Sequence, residues 1–196
     1  MKIIDINKNY GKLKMKCFEM PNASYTNVTI HTEIIMPRIE IRTEIKSKKE
    51  IVFDLSRSID LHKISTEQTN EVAIAGKTSG LIEMNESVTW RAKHFGVYQN
   101  LTSKITEFDK PNYFVDEMQE GAFKEFKHEH HFAELNGGTL MTDICFSYKS
   151  PLGILGKFAD KIFLEKYMTE LLTERNRVVK EFAESDKWKK ILKTKN

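Results

Sequence analysis

The chain has 196 residues, a length that fits one domain, with 31 lysines and arginines against 28 aspartates and glutamates. A formal net charge of +3 gives no basic surface strong enough to argue for nucleic acid. No apolar run reaches the length of a membrane span, so stable membrane insertion is not expected. The two cysteines, Cys17 and Cys145, lack metal or redox spacing. With no apolar signal-peptide core at the N-terminus, they point to a reducing, cytoplasmic compartment.

Residues 1–35 mix polar residues and small apolar patches without a sustained period, with room for one short strand near Val28–Ile35. They read as a loosely packed extension; the alternative is an accessory leader upstream of a natural start at Met36. From Arg38 the pattern sharpens. Ile39, Ile41, Thr43 and Ile45 alternate with charged residues, as in a half-buried strand. Ser47 and Glu50 have capping-box spacing ahead of a short helix carrying Ile51, Val52 and Leu55. A second short helix is expected over Ile59–Ile64.

Strands follow at Glu71–Ala75, Gly80–Met84, Ser87–Phe95, Gln99–Phe108, Tyr113–Glu120, Lys124–Leu135 and Thr139–Tyr148, separated by turn signals such as Lys110-Pro111-Asn112 and Asn136-Gly137-Gly138. After the turn at Pro151–Gly156, a long helix runs from about Leu155 to Ser185. Its apolar stripe changes face between Phe163 and Tyr167. Arg175 lies within the second apolar arc, where a charge must be paired, snorkel out or meet a ligand. The sequence therefore predicts an α+β domain over 36–185, in which a curved antiparallel sheet of about seven strands grips the C-terminal helix. Residues 186–196 read as a basic tail.

The stretches Pro111-Asn112-Tyr113-Phe114, Gly121-Ala122-Phe123, His128-Glu129-His130-His131-Phe132, Gly138-Thr139, Asp143 and Tyr148-Lys149-Ser150-Pro151-Leu152-Gly153 resemble the helix-grip superfamily (SRPBCC). That superfamily includes START domains, polyketide cyclase/dehydrase-like proteins and pollen-allergen-like proteins. The order of elements agrees from about Pro37 to Ser185, and the chain looks most like small bacterial cyclase/dehydrase-like members. The resemblance implies an apolar cavity between sheet and helix; it identifies neither a ligand nor a catalytic signature.

Strand alternation puts Phe126, His128, His130 and Phe132 on one face, and the apolar company argues that the histidines face inward. Asp116, with Phe114 and Met118, is the acidic residue expected to face in from its strand, as the partner of Arg175 or a histidine. Glu129 and Asp143 are further acidic candidates. Two imidazoles at i and i+2 could share a metal, but a zinc site takes at least three protein ligands and the sequence names no third. No metal and no cofactor are expected. There is no nucleophile elbow, P-loop or dinucleotide glycine fingerprint.

The leading expectation is a binding module for a small hydrophobic molecule, monomeric or homodimeric. Its lining would come from Trp90, Ile105, Phe114, Met118, Phe126, Ile144 and Phe146 on the sheet, and from Phe163, Met168, Leu171 and Leu172 on the helix. His128, His130 and Arg175 would supply polar contacts. One alternative is a cyclase or dehydratase using His128 or His130 as acid/base, Asp116 nearby, and Arg175 on a developing oxyanion. The other is a protein-interaction or regulatory module.

Overall fold

The computed structural model describes residues 38–94, 96–121, 126–146 and 157–193; of residues 146 and 157–164 it describes the backbone. The N-terminal extension, the turn at 151–156 and the side chains of Phe146 and Phe163 lie outside the described residues.

The described chain runs β1 (Arg38–Ile45), α1 (Lys49–Ser56), α2 (Ile59–Ser65), a 3-10 turn (Glu67–Thr69), β2 (Val72–Gly76), β3 (Ser87–His94), β4 (Val97–Asp109), β5 (Tyr113–Glu120), β6 (Lys127–Leu135), β7 (Gly138–Phe146), α3 (Lys157–Ala183) and α4 (Trp188–Leu192). The strands form one sheet in the order β1-β7-β6-β5-β4-β3-β2. Every pairing is antiparallel. From β3 to β7 each strand lies beside its chain neighbour, a meander that hairpin-length connections permit. The β6–β7 turn takes left-handed backbone at Asn136 and Gly137 (φ 51° and 77°), the conformation a tight hairpin needs. Gly138 follows because a Cβ there would come within 2.5 Å of the Ile45 carbonyl oxygen.

Alternation sends one side chain of each strand pair inward, where α1, α2 and α3 cover the sheet. Phe53 of α1 is fully buried and meets Phe108, Phe114 and Phe132 edge-on, with ring centroids 5.3–5.5 Å apart. Val178, Val179 and Ala183 of α3 join this cluster with Trp90 and Ile105. A second, smaller cluster holds Ile39, Cys145, Met168 and Leu172, with Ile41, Phe126 and Tyr167 against it.

Three sequence expectations change. Gly80–Met84 is not a strand: only Leu81 bridges, to Ser58, while Ile82 turns into the core. That segment serves α1 instead, since the Ile82 carbonyl accepts from Arg57 Nη1 at 3.0 Å. Ser47 does not cap α1, whose N-cap is Lys48 without a side-chain hydrogen bond. The carbonyl of Ser47 is taken by Thr139 Oγ1 at 2.8 Å. The side-chain cap falls one helix later, where Ser58 Oγ accepts from Leu61 N–H. Finally, the basic end is partly structured: Trp188, Ile191 and Leu192 of α4 pack against the main core.

Phe53→Ala should cost about 3–5 kcal/mol in urea unfolding, the range for deleting a core aromatic. A loss under about 1 kcal/mol would contradict its central place in the core.

Candidate functional site

The cross-strand register builds the site. Asp116 of β5 lies opposite His128 of β6, and His128 opposite Cys145 of β7. One pair along, Phe114 lies opposite His130, and His130 opposite Asp143. These residues share the inner face, so two imidazoles and two carboxylates meet between the two apolar clusters.

Asp143 is the hub, with its side chain fully buried. His130 Nδ1 lies 2.6 Å from Asp143 Oδ1, and Asn176 Nδ2 donates to Oδ2 at 2.6 Å. Arg175 Nη1 approaches Oδ1 at 3.5 Å, while its Nη2 donates to the Ser56 carbonyl at the end of α1 at 2.7 Å. His128 Nε2 is 3.2 Å from Oδ1 but makes no directed hydrogen bond. Burial alone would raise the Asp143 pKa; the facing histidines reverse this and hold the carboxyl well below its usual range.

On the far side, His130 Nε2 faces Asp116 Oδ2 at 3.0 Å, and His128 Nδ1 faces the same oxygen at 3.8 Å. The imidazole rings lie against each other with centroids 3.9 Å apart, and Phe114 stacks on His130 at 4.2 Å. Asp116 keeps 21% of its side chain exposed, against 6% for His128 and 1% for His130. It is therefore the member a ligand can reach. Burial acts to raise its pKa, but His130 and His128 lower it overall. Burial, with the negative charges of Asp116 and Asp143, pushes the Cys145 thiol up to about 12, which removes it as a nucleophile.

No protein-family model matches the chain, and no curated protein matches it in sequence. Solved structures do match in shape. The protein TTHA0849 from Thermus thermophilus superposes with a TM-score of 0.58 at 18% identity, over 73% of this chain and 97% of its own. A START superfamily protein from Mycobacterium smegmatis gives 0.56 at 11%, over 75% and 97%. The major latex-like protein 151 of Panax ginseng gives 0.55 at 15%, over 76% and 97%. The fold is of the SRPBCC, helix-grip type.

Within this helix grip the residues expected from sequence separate into groups. Asp116, His128, His130 and Arg175 come together, joined by Asp143. Of the two partners expected for Asp116, Arg175 or a histidine, it takes the histidine, His130 at 3.0 Å, while Arg175 leaves α3 on the side of β7 and α1 and contacts Asp143. Phe114 packs on the cluster, Ile105 lies opposite Asp116 in the register, and Met118 and Phe126 are half-buried nearby in sequence. Met168 and Leu172 are buried beside Cys145, and Leu171 is half-buried. Ile144 leaves the expected lining: it alternates with Asp143 and Cys145 and pairs with Glu129 and Glu40 on the other face. Trp90 stacks on His62 instead, with centroids 4.2 Å apart. Asn176 was not foreseen; an asparagine next to an arginine on an otherwise apolar helix arc was its only signal.

A second polar group also escaped the sequence reading. His62 Nε2 lies 3.3 Å from Glu71 Oε2, and His94 Nδ1 lies 2.7 Å from the Tyr167 hydroxyl. Burial works to raise the Glu71 pKa, but His62 pulls it below normal; burial also lowers that of His94. Both shifts make the unfolded chain bind more protons, so stability is present at neutral pH and lost as pH falls. The loss begins in the ordinary histidine range and continues through the depressed Glu71 pKa.

Thermal melts should therefore show the melting temperature falling between about pH 7 and pH 4, and Glu71→Gln should flatten the carboxylate part of that slope; an unchanged slope would refute the assignment. Asp143→Ala should cost about 3–5 kcal/mol in urea unfolding, because it strands a buried guanidinium and two imidazoles.

Proposed function

We propose that this protein binds a small hydrophobic or amphipathic molecule between the inner face of the sheet and α3, with the Asp116 end of the polar cluster as its anchor. The observation that carries this reading is a charged network set between two apolar clusters, with one partly exposed member. Such an arrangement offers apolar surface for the body of a ligand and a fixed polar contact for its head. The helix-grip resemblance, which implies an apolar cavity between sheet and helix, supports the same reading. Two buried atoms beside Asp143, His128 Nε2 and Asn176 Oδ1, make no directed hydrogen bond among the described residues, and a bound water would satisfy either.

A second reading, a cyclase or dehydratase, is favoured by one detail. Asp143 fixes the Nδ1 side of His130 and turns Nε2 toward the partly exposed Asp116, the arrangement of an oriented general acid/base. Arg175 does not fit the expected oxyanion role, because its guanidinium is already spent on Ser56 and Asp143.

Titration of the full chain with the fluorescent probe 1-anilinonaphthalene-8-sulfonate should show saturable binding at one site. Met118→Trp, which adds bulk two residues from Asp116 on the same strand face, should weaken it about tenfold at unchanged melting temperature. Native mass spectrometry of protein from its natural host should show a small apolar adduct. Unsaturable probe uptake and an adduct-free mass together would overturn the binding reading; consumption of an added aromatic or polyketide-like substrate would favour the enzyme.

A further inference from the structure

The sequence offered two histidines for a metal and no third ligand; the fold supplies the third. One nitrogen from each of His128 and His130 and one carboxylate oxygen of Asp116 lie within 4.8 Å of one another. We propose that Asp116, His128 and His130 form a binding site for a divalent transition metal, with Asp143 as the residue that orients both imidazoles.

Three observations carry it. The first is direction. Each imidazole turns one nitrogen to Asp116 and the other to Asp143: His130 at 3.0 and 2.6 Å, His128 at 3.8 and 3.2 Å. A histidine that ligates a metal almost always has a carboxylate, carbonyl or water at its other nitrogen. Here one buried carboxylate serves both rings, and Asn176 and Arg175 hold that carboxylate in place. The second is spacing. Donors about 2.0–2.1 Å from a tetrahedral ion lie about 3.3 Å from one another. The approaches of 3.0 and 3.8 Å to Asp116 Oδ2 bracket that value, and the two ligating nitrogens lie within 4.8 Å of each other.

The third is charge. Two carboxylates face one guanidinium and two imidazoles, and a cation at the Asp116 side would add to the positive charge that answers them. His130 Nε2 and the Asp116 oxygen, 3.0 Å apart, share a hydrogen bond when a proton lies between them, and a divalent cation would take the place of that proton. His128 is more than nine-tenths buried, with Nδ1 toward Asp116 Oδ2 and Nε2 3.2 Å from Asp143 Oδ1.

Two imidazoles and one carboxylate suit Zn²⁺, Fe²⁺ or Co²⁺ rather than Ca²⁺ or Mg²⁺, which prefer oxygen sets. Three protein ligands leave at least one coordination position open. The exposed part of Asp116 places it on the side a ligand can reach, so the metal would take an oxygen donor there. The proposal stands on the cluster alone and does not require the hydrophobic ligand.

The test is titration of the chelator-treated full chain with Co²⁺ and, separately, with Zn²⁺ against a chromophoric chelator. The expected result is one ion per chain, with visible Co²⁺ absorption bands and a raised melting temperature. Asp116→Asn should weaken binding at least tenfold, and Asp143→Asn about 10–100-fold, as for other residues that orient ligands. His62→Gln, in the second polar group, should leave it unchanged. Asp116 is partly exposed, so its variant keeps the test valid if a buried histidine variant does not fold. No stoichiometric binding by the wild type, or binding unchanged in Asp116→Asn, would overturn the site. Saturable probe binding alongside either result would refute the metal and leave the ligand-binding reading standing.

Discussion

The structure depends on one buried negative charge. A carboxylate with no solvent contact is costly unless every lone pair is answered, and Asp143 is answered from three directions. His130 approaches from the neighbouring strand, Asn176 and Arg175 from the helix across the sheet. Arg175 in turn takes the last carbonyl of α1, where a cation also meets the negative end of a helix dipole. One side chain thus joins the middle of the sheet to both helical layers. A dry core could have filled the same volume at comparable stability. What this network supplies is a fixed geometry, because moving any one of its members lengthens a contact to Asp143.

Much of the fold was legible because its signals are local. Period-two alternation located β1 and β3–β7, Asn136-Gly137 marked a hairpin, and the long amphipathic stretch marked α3. The failures were also local. Gly80–Met84 alternates like a strand, yet its backbone is claimed by Arg57 and Ser58. Ser47 has the spacing of a cap, but tertiary structure takes its carbonyl for Thr139 and moves the helix start to Lys48. In both cases a contact distant in sequence outweighed a short-range preference.

The site was legible to the extent that it lies on single strands. Alternation from Phe126 to Phe132 put both imidazoles inside, and alternation around Phe114 selected Asp116 over Glu117. Partnership was not legible, because it depends on register between strands and on the rotation of α3. Pairing His130 with Asp143 requires the β6–β7 hairpin to close at Asn136-Gly137; a shift of one residue would have exchanged Asp143 for Ile144 on the inner face. The same register explains why a third ligand could not be named from the sequence alone. The Glu71–His62 and His94–Tyr167 contacts were hidden for a similar reason, being assembled from α2, β2, β3 and α3.

Arg175 and Asn176 are consecutive on α3, so their side chains leave the helix about 100° apart. Both nevertheless end on the same carboxylate, one on each oxygen. The pair fixes the helix in azimuth. Rotation by a fraction of a turn in either direction lengthens one contact or the other, and sliding along the axis lengthens both. Exchanging the two residues would aim neither at Asp143. Their order along the chain therefore encodes which face of a 27-residue helix meets the sheet, in a segment where the apolar pattern alone leaves that choice ambiguous.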